Sequence, residues 1–423
     1  MEFKGLKLDL LKEDEVLFFI RIRGKRSYFK NVYSSKFVEQ FKSIENYRCI
    51  SEYKKNADVH IDINAVERDF LYEDEFNNFQ EIISINEIIK RCRGLRSITY
   101  SEAIKLIYRA YLFFSNYFSQ NRELKLIVTG AIDNYVMDLM VRVGECYGIK
   151  YLGVTDSLLS PEYKLITVRG ELSDFNDKPS DNISNSIKIF EDRILHNIKS
   201  CTVPTFNIIF KRNLYNILSF YYRLIVRYFF KYKICGRLEY EYRFSPYLFG
   251  FKSVSQLYAT KYLQNNFDDE GGKKIAYIPL HFYPEATTDY WMDSIYHVEY
   301  LTSVLNTVKL LIKKGYVVYA KEHPHYFLSR EYKFYKKLID NKCKILSPFI
   351  CTKKVFDKVD VVVVWNGSTG IESMLYGKTT VKVTNSYYGD DIIPNLNEFE
   401  GENVSRSTRG CLEKVFQSSF RTR

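Results

Sequence analysis

The sequence predicts an α/β protein with two doubly wound domains that face each other across a central cleft. A strand, a helix and a second strand follow one another over residues 125–154, and a longer alternation of apolar strands and helices covers residues 275–383. Such alternation is typical of parallel sheets covered by helices. Residues 268–274, DDEGGKK, lie between the two runs and have the glycine pair and charges of a linker.

These boundaries divide the 423 residues into three parts. The N-terminal domain covers residues 1–267 and carries a helical insertion with a basic, aromatic segment over residues 206–237. The C-terminal domain covers residues 268–400. Residues 401–423 are predicted to form a helical tail.

The charge and the cysteines limit the classes of partner. A formal net charge of +11 favours an acidic partner, which could be nucleic acid, an anionic bilayer surface or a phosphorylated substrate. Nucleic acid ranks last, because the sequence has no zinc-finger spacing, RNA-binding sheet motif or basic tail. The eight cysteines form no CxxC pair, which fits reduced thiols better than a disulfide or metal framework. With no secretion signal and no apolar run of about 18 residues, we expect a cytoplasmic protein.

The segment over residues 206–237 combines seven Lys and Arg residues with many aromatic residues and no acid. At about 100° per residue, one stripe of a helix contains Arg212, Arg223, Arg227 and Lys231. A basic, aromatic amphipathic helix is typical of a segment that lies on a bilayer surface. The alternative is a buried helix between domains with one solvated basic face.

Polar loops follow three predicted strands of the C-terminal domain. The first contains His281 and Glu285, the second contains Lys321, His323 and Pro324, and the third is the turn Asn366, Gly367, Ser368, Thr369 and Gly370, with Glu372 in the helix that follows. Because the carboxyl ends of parallel strands share one edge of the sheet, we expect these loops to converge. A glycine-rich turn at a helix N-terminus predicts an anion site, although an ordinary helix cap at Ser368 or Thr369 would give the same pattern.

Several acids follow strands of the N-terminal domain, where an α/β domain presents its functional groups. They are Asp133, Asp156, Glu162 and Glu171. Each also has an ordinary alternative role, as a turn or cap residue, a first-turn helix acid or a surface charge.

The motifs of the C-terminal half resemble those of bacterial glycosyltransferases that build capsules, lipopolysaccharides and other surface polysaccharides. The matching residues are Pro279-Leu280-His281 with Pro284-Glu285, Lys321-Glu322-His323-Pro324, and Gly367-Ser368-Thr369-Gly370-Ile371-Glu372 with Gly377-Lys378. These families include capsule Kdo-transferase-like proteins, and the His-Pro and Ser-Thr pairs are also similar to motifs of bacterial sialyltransferases and polysialyltransferases. The resemblance covers residues 275–390 and is absent over residues 1–120 and 180–265.

The resemblance implies the GT-B architecture, in which two Rossmann-like domains hold the active site between them. The C-terminal domain would bind a nucleotide-activated sugar, with a CMP-sugar favoured, and His323, Ser368 and Thr369 would hold the departing phosphate. No metal or other cofactor is expected. The N-terminal domain would bind an oligosaccharide or lipid-linked acceptor at the inner membrane face and supply the general base of an inverting transfer.

The matching position for that base is Asp156. Here the sequence has Thr155-Asp156-Ser157 instead of the acidic pair and glycine of the families, so Asp133, Glu162 and Glu171 remain alternatives. Three other functions also remain open. They are a CDP-glycerol-type polyol-phosphate transferase, a sugar-nucleotide epimerase and a non-catalytic polysaccharide-assembly protein.

Overall fold

The structure is a computed structural model of the chain. It describes residues 2–20, 37–51, 54, 57–63, 79, 83–157, 163–172, 175–176, 183–196, 211, 214, 218, 225, 258–283, 285–326, 330–384, 393–399 and 408–421. The contacts between residues divide the chain into two compact units. The first consists of Met1–Asp181, Arg227–Ser245 and Val415–Arg423, and the second of Asn182–Val226 and Pro246–Lys414.

The first unit contains a small sheet and a large one. The small sheet is antiparallel and consists of β1 (Glu2–Phe3), β2 (Leu6–Lys7) and β9 (Phe175–Asn176). The large sheet consists of β3 (Val16–Ile20), β4 (Cys49–Ser51), β5 (Val59–His60), β6 (Leu126–Gly130), β7 (Lys150–Asp156), β8 (Tyr163–Ile166) and β16 (Ser419–Arg421). Its order is β16-β8-β7-β6-β3-β4-β5, with β7 to β5 parallel and with β8 and β16 antiparallel.

Three helices of the first unit bury apolar residues, and two of them begin with a side-chain cap. They are α1 (Ile85–Arg91), α2 (Tyr100–Gln120) and α3 (Tyr135–Cys146). Helix α2 begins with a capping box, in which Thr99 and Glu102 bind each other's backbone N–H groups. Helix α3 begins at Asn134, whose side-chain oxygen accepts the N–H of Met137 at 2.9 Å. The fully buried β3 strand pairs with β6 in the middle of the sheet.

The second unit is built on a six-stranded parallel sheet. Its strands are β10 (Leu263–Gln264), β11 (Ile275–Pro279), β12 (Val317–Lys321), β13 (Lys344–Leu346), β14 (Val361–Val364) and β15 (Thr379–Lys382), in the order β10-β13-β12-β11-β14-β15. Its helices are α4 (Ile183–His196), α5 (Ala286–Asp289), α6 (Ile295–Val298), α7 (Tyr300–Lys313), α8 (Tyr332–Asp340), α9 (Thr352–Phe356) and α10 (Thr369–Leu375). A last helix, α11 (Thr408–Gln417), runs from the second unit into the first.

The apolar pattern of the second unit explains its sheet. All four residues of β14 are buried, as a β-branched strand covered on both faces requires. Trp365 follows β14, is fully buried, and donates its indole N–H to the Ser303 hydroxyl at 3.0 Å. One face of α7 packs on the sheet through residues that include Val304, Val308 and Leu311. Gly377, with φ +67°, follows α10, as expected for a helix stop.

Both units place their first central strand in the same topological position. In the first unit β4 and β5 lie on one side of β3, while β6 and β7 lie on the other. In the second unit β12 and β13 lie on one side of β11, while β14 and β15 lie on the other. Ligands of doubly wound sheets bind at the crevice where the strand order reverses. The topology therefore marks the β3/β6 and β11/β14 crevices.

The predicted α/β class is confirmed, with two sheets rich in parallel strands. The division of the chain differs from the predicted boundary at residue 268, because residues 182–226 and 246–267 group with the second unit. Strand β10 pairs with β13, and α4 contacts α10. The predicted helical tail contains α11, but it also contributes β16 to the sheet of the first unit. No helix in the described part of the chain is long and apolar enough to cross a membrane.

Candidate functional site

The three polar loops of the second unit meet at the carboxyl edge of neighbouring strands. Strand β11 pairs with β12 through Pro279 and Lys321, and with β14 through Ala276 and Val361. Continuing the same register places His281 beside the β12 loop on one side and beside the β14 loop on the other. The site is therefore centred on the β11/β14 crevice, where the strand order reverses.

His281 joins two of these loops through its ring. Its ring Nε2 accepts the backbone N–H of Asn366 at 3.3 Å. The backbone N–H of His281 donates to the Tyr300 hydroxyl at 2.8 Å. Burial, with smaller contributions from His323 and the Arg330 cation, lowers the pKa of His281 to about 3. The imidazole is therefore neutral near pH 7, as its role as a hydrogen-bond acceptor requires.

A buried ion pair anchors the loop after β12. Glu322 and Arg330 are 1% and 2% exposed, and the guanidinium donates to the carboxylate from Nε at 2.5 Å and from Nη2 at 2.9 Å. Nη2 also donates to the carbonyl of His281 at 2.7 Å. Burial alone would lower the pKa of Arg330, but the adjacent Glu322 carboxylate outweighs it and raises the pKa. The Arg330 guanidinium therefore stays charged, and it ties the β12 loop to the β11 loop.

His323 lies at the predicted position after β12. Its backbone N–H donates to the Glu322 carboxylate at 2.6 Å, and its ring packs edge-on against the ring of Phe282, with 5.9 Å between the ring centroids. Pro324 begins a short 3₁₀ turn that ends at Tyr326. The imidazole of His323 is partly exposed, so a ligand at this edge can reach it.

In the turn after β14, the His281 ring lies close to the backbone of a glycine, Gly367. Gly367 has φ +113°, and a Cβ added to it would lie 3.1 Å from Cε1 of His281. Asn366 is buried and donates its side-chain N–H to the carbonyl of Thr287 at 2.9 Å. Ser368 precedes α10, which starts at Thr369, and its side chain makes no cap hydrogen bond. The turn is therefore shaped by His281 and glycine, and the Ser368 side chain does not act as a helix cap.

The remaining predicted residues lie around the same edge. Lys321 is buried and donates to the Thr352 hydroxyl at 3.1 Å. Burial raises the pKa of Glu372, and a hydrogen bond with Ser368 and the charge of Lys321 oppose that rise. Glu285 precedes α5, and its N–H donates to the Thr288 hydroxyl at 3.1 Å. Among the described residues, no group of three or more His, Cys, Asp or Glu side chains could hold a metal ion.

Three residues that pack behind this site and hold its loops were not predicted. Arg330 holds two loops together, Tyr335 donates its hydroxyl to Glu322 at 2.5 Å, and Tyr300 accepts the N–H of His281. None belongs to a motif, because each acts through a contact that is distant in sequence. The one available signal was the glutamate of the Lys321-Glu322-His323-Pro324 motif, since a charge directly after a buried strand needs a partner.

The candidate bases of the first unit have different environments. Asp156 ends β7, is exposed, and pairs with Lys164 of the adjacent strand. The Glu171 carboxylate accepts the N–H groups of Val168 at 2.9 Å and Arg169 at 2.6 Å, so it closes a turn. Asp133 follows β6 at the β3/β6 crevice and is half-buried. Glu162 lies outside the described residues.

The predicted membrane-surface residues Arg212, Arg223, Arg227 and Lys231 also lie outside the described residues. Three apolar residues of the same segment are described as helical. Leu214, Leu218 and Ile225 are 47%, 62% and 56% exposed. At about 100° per residue they fall within about 40° of one another on a helix. Large apolar side chains are thus exposed in the segment predicted to lie on a bilayer.

No protein-family model matches the chain, and no curated protein matches it. Solved structures resemble it at low similarity. KpsC of Thermosulfurimonas dismutans, described as a beta Kdo 2,7 transferase, is 14% identical over 71% of this chain and 79% of its own, with a TM-score of 0.35. The UDP-GlcNAc 2-epimerase of Methanocaldococcus jannaschii is 10% identical over 93% of this chain and 95% of its own, with a TM-score of 0.26. A glycosyltransferase of Rickettsia africae ESF-5 is 10% identical over 95% of this chain and 93% of its own, with a TM-score of 0.24.

TM-scores and identities this low carry no argument about fold, substrate or reaction. The function proposed for the chain therefore rests on its site and its motifs.

The depressed pKa of His281 predicts an acid-sensitive fold. The ordinary value is 6.5 and the folded value is about 3, so between these pH values the unfolded chain binds the extra proton. Stability is therefore present above pH 6.5 and is lost as the pH falls toward 3, by at most about 1.4 kcal/mol per pH unit from this group. Denaturant unfolding of the wild type and of His281→Gln, which keeps an acceptor but does not titrate, should show the two stabilities converging on acidification. Parallel pH profiles would contradict the assignment.

Proposed function

We propose that the second unit binds the phosphate of a nucleotide-activated sugar and that the protein is a glycosyltransferase. The observation that carries the proposal is a pair of hydrogen bonds at the β11/β14 crevice: the backbone N–H of Asn366 donates to Nε2 of His281, and Nη2 of Arg330 donates to the carbonyl of His281. These bonds support a preformed site at the place where doubly wound sheets bind ligands. The motifs at that place are those that resemble nucleotide-sugar transferases.

The chemistry of the loops suits a leaving phosphate. The first N–H groups of α10 make no intrahelical bond, and the glycine turn lets a ligand approach the backbone closely. His323 offers a partly exposed imidazole at the same edge, and Ser368 and Thr369 offer hydroxyls. Donors fixed before the reaction stabilise negative charge as it develops on the departing phosphate.

The reaction we propose is an inverting transfer without a metal. The acceptor hydroxyl oxygen bonds to the anomeric carbon of the sugar while the bond from that carbon to the phosphate oxygen breaks. The phosphate leaves with the bonding electron pair, and the hydroxyl proton passes to a carboxylate of the first unit. We favour a CMP-sugar donor because of the resemblance to Kdo and sialic acid transferases. A polysaccharide or lipid-linked saccharide of the bacterial surface is the proposed acceptor.

The base we now favour is Asp133. It follows β6 at the crevice where the strand order of the first unit reverses, which is the usual place for a bound ligand. Its Oδ1 accepts a hydrogen bond from the Asn134 side chain at 3.3 Å, and the exposed Asp156 carboxylate pairs with Lys164. The alternative base remains Asp156.

A nucleotide panel tests the proposed site. We expect one of CMP, CDP, UDP, GDP and dTDP to raise the Tm of the wild type by about 3 °C or more at 100 times its Kd. His323→Ala should abolish that shift, whereas His60→Ala in the first unit should keep it. If no nucleotide changes the Tm or gives heat in calorimetry, the protein is not a nucleotide-sugar enzyme.

A comparison of two carboxylates identifies the base. With CMP-Kdo and CMP-sialic acid as donors, Asp133→Asn should slow acceptor-dependent CMP release by about 10²–10⁴-fold, because general-base catalysis contributes that much. Asp156→Asn should stay within about twofold of the wild type, and CMP affinity should be unchanged in both. The reverse pattern would return the role of base to Asp156.

We also propose that the segment over residues 206–237 lies on the inner membrane surface. Support comes from its basic composition and from the exposed side chains of Leu214, Leu218 and Ile225. Apolar side chains enter the acyl boundary, and basic residues near an anionic surface add about 1 kcal/mol each.

Vesicle flotation tests this membrane contact. Replacing Arg223, Arg227 and Lys231 by Gln should lower binding to vesicles that contain phosphatidylglycerol, and binding should also fall with added salt. The matched control replaces the exposed Lys333, Lys336 and Lys337 of α8 by Gln and should leave binding unchanged. Equal binding of the two triple variants would refute the membrane segment.

A further inference from the structure

The Glu322 carboxylate has four hydrogen-bond donors. Oε1 accepts the N–H of His323 at 2.6 Å and Nη2 of Arg330 at 2.9 Å. Oε2 accepts Nε of Arg330 at 2.5 Å and the Tyr335 hydroxyl at 2.5 Å. With its lone pairs occupied in this way, the carboxylate fixes the position of the guanidinium precisely.

Arg330 in turn helps to position the turn after β14, because it binds His281 and His281 contacts that turn. Nη2 of Arg330 holds the carbonyl of His281, and Tyr300 holds the N–H of His281. With both backbone groups held, the imidazole is placed against the turn, where Nε2 accepts the N–H of Asn366. The ring also occupies the space beside Gly367 that a Cβ would need.

A buried ion pair of this kind is weak evidence for a role in stability. Removing two charges from water is costly, and well-packed apolar residues of similar volume often serve as well or better. Apolar side chains could not hold the carbonyl of His281 and the N–H of His323 together. The fork of a guanidinium suits this task, since it can donate to a carboxylate and to a carbonyl at the same time.

We propose that Arg330 is a positioning residue for nucleotide binding, which acts through His281 on the Asn366–Gly367 turn and through Glu322 on His323. It makes none of the phosphate contacts proposed above, yet the affinity for the nucleotide depends on it. This inference rests on the proposed function, because the turn and His323 are the phosphate-binding groups. It adds to that function a residue that no motif contains.

The competing explanation is that the ion pair only anchors α8 to the sheet. Tyr335 separates the two explanations, because it belongs to α8 and its hydroxyl bonds the Glu322 carboxylate and not His281. Tyr335→Phe therefore weakens the anchoring and leaves the link from Arg330 to His281 in place. Arg330→Lys keeps a positive charge beside Glu322 but loses the fork.

The experiment measures two quantities, the Kd for CMP and the ¹⁵N signals of the His281 ring. The proteins compared are the wild type, Arg330→Lys, Arg330→Met and Tyr335→Phe. Calorimetry should give a Kd for CMP that is about tenfold or more higher in both Arg330 variants, the expected loss for a hydrogen bond to a charged group. Tyr335→Phe should lower the Tm but keep the Kd within about twofold. Circular dichroism shows whether each variant is folded. If Arg330→Met does not fold, the comparison of Arg330→Lys with the wild type decides the result.

The ¹⁵N signals of His281, assigned with His281→Gln, provide a reading that does not depend on CMP. In the wild type and in Tyr335→Phe, Nε2 should be the unprotonated acceptor. In the Arg330 variants the signals should move toward a mixture of tautomers, because the ring is no longer held on the N–H of Asn366. If the wild type binds no CMP, the proposed function with this nucleotide fails and these signals alone decide the inference. Unchanged signals in Arg330→Lys, or a Kd equal to that of the wild type, would overturn it.

Discussion

The interaction on which the second unit depends is the hydrogen-bonded pair of Glu322 and Arg330. Both side chains are buried, so each needs the other and every remaining polar contact nearby. Those contacts are the backbone groups of His281 and His323 and the hydroxyl of Tyr335. The cost of burying the charges therefore constrains the loops at the edge of the sheet, and the hydrogen bonds hold the β11 and β12 loops together at the proposed site.

The topology of the sheets explains where such a site can form. Each unit has one central strand, β3 or β11. The next two strands of the chain are added on one side of it, and the two strands after those are added on the other side. The reversal leaves a crevice beside β11 in the second unit and beside β3 in the first. His281 and the turn at Gly367 occupy one of these crevices, and Asp133 lies at the other. The transfer proposed for this protein would take its donor site from the second unit and its base from the first.

Much of this could be predicted from the sequence, since the relevant signals are local. The strands over residues 275–280, 316–321 and 359–365 are continuous apolar runs, and the structure places them at Ile275–Pro279, Val317–Lys321 and Val361–Val364. The convergence of their loops then follows from parallel pairing. The role of Arg330 could not be predicted, because its partners are 8 and 49 residues away and no periodicity marks it. Pairing of β10 with β13 and of β16 with β8 was missed for the same reason.

The central claim is that a nucleotide phosphate binds between the His281 loop and the Asn366–Gly370 turn. The most direct measurement is a crystal structure of the protein with CMP. The account predicts phosphate density within hydrogen-bond distance of the backbone N–H groups at the start of α10 and of the His323 imidazole, with the bond between His281 and Asn366 intact. Phosphate density at any other edge of the sheet, or a turn that is no longer in contact with His281, would contradict it.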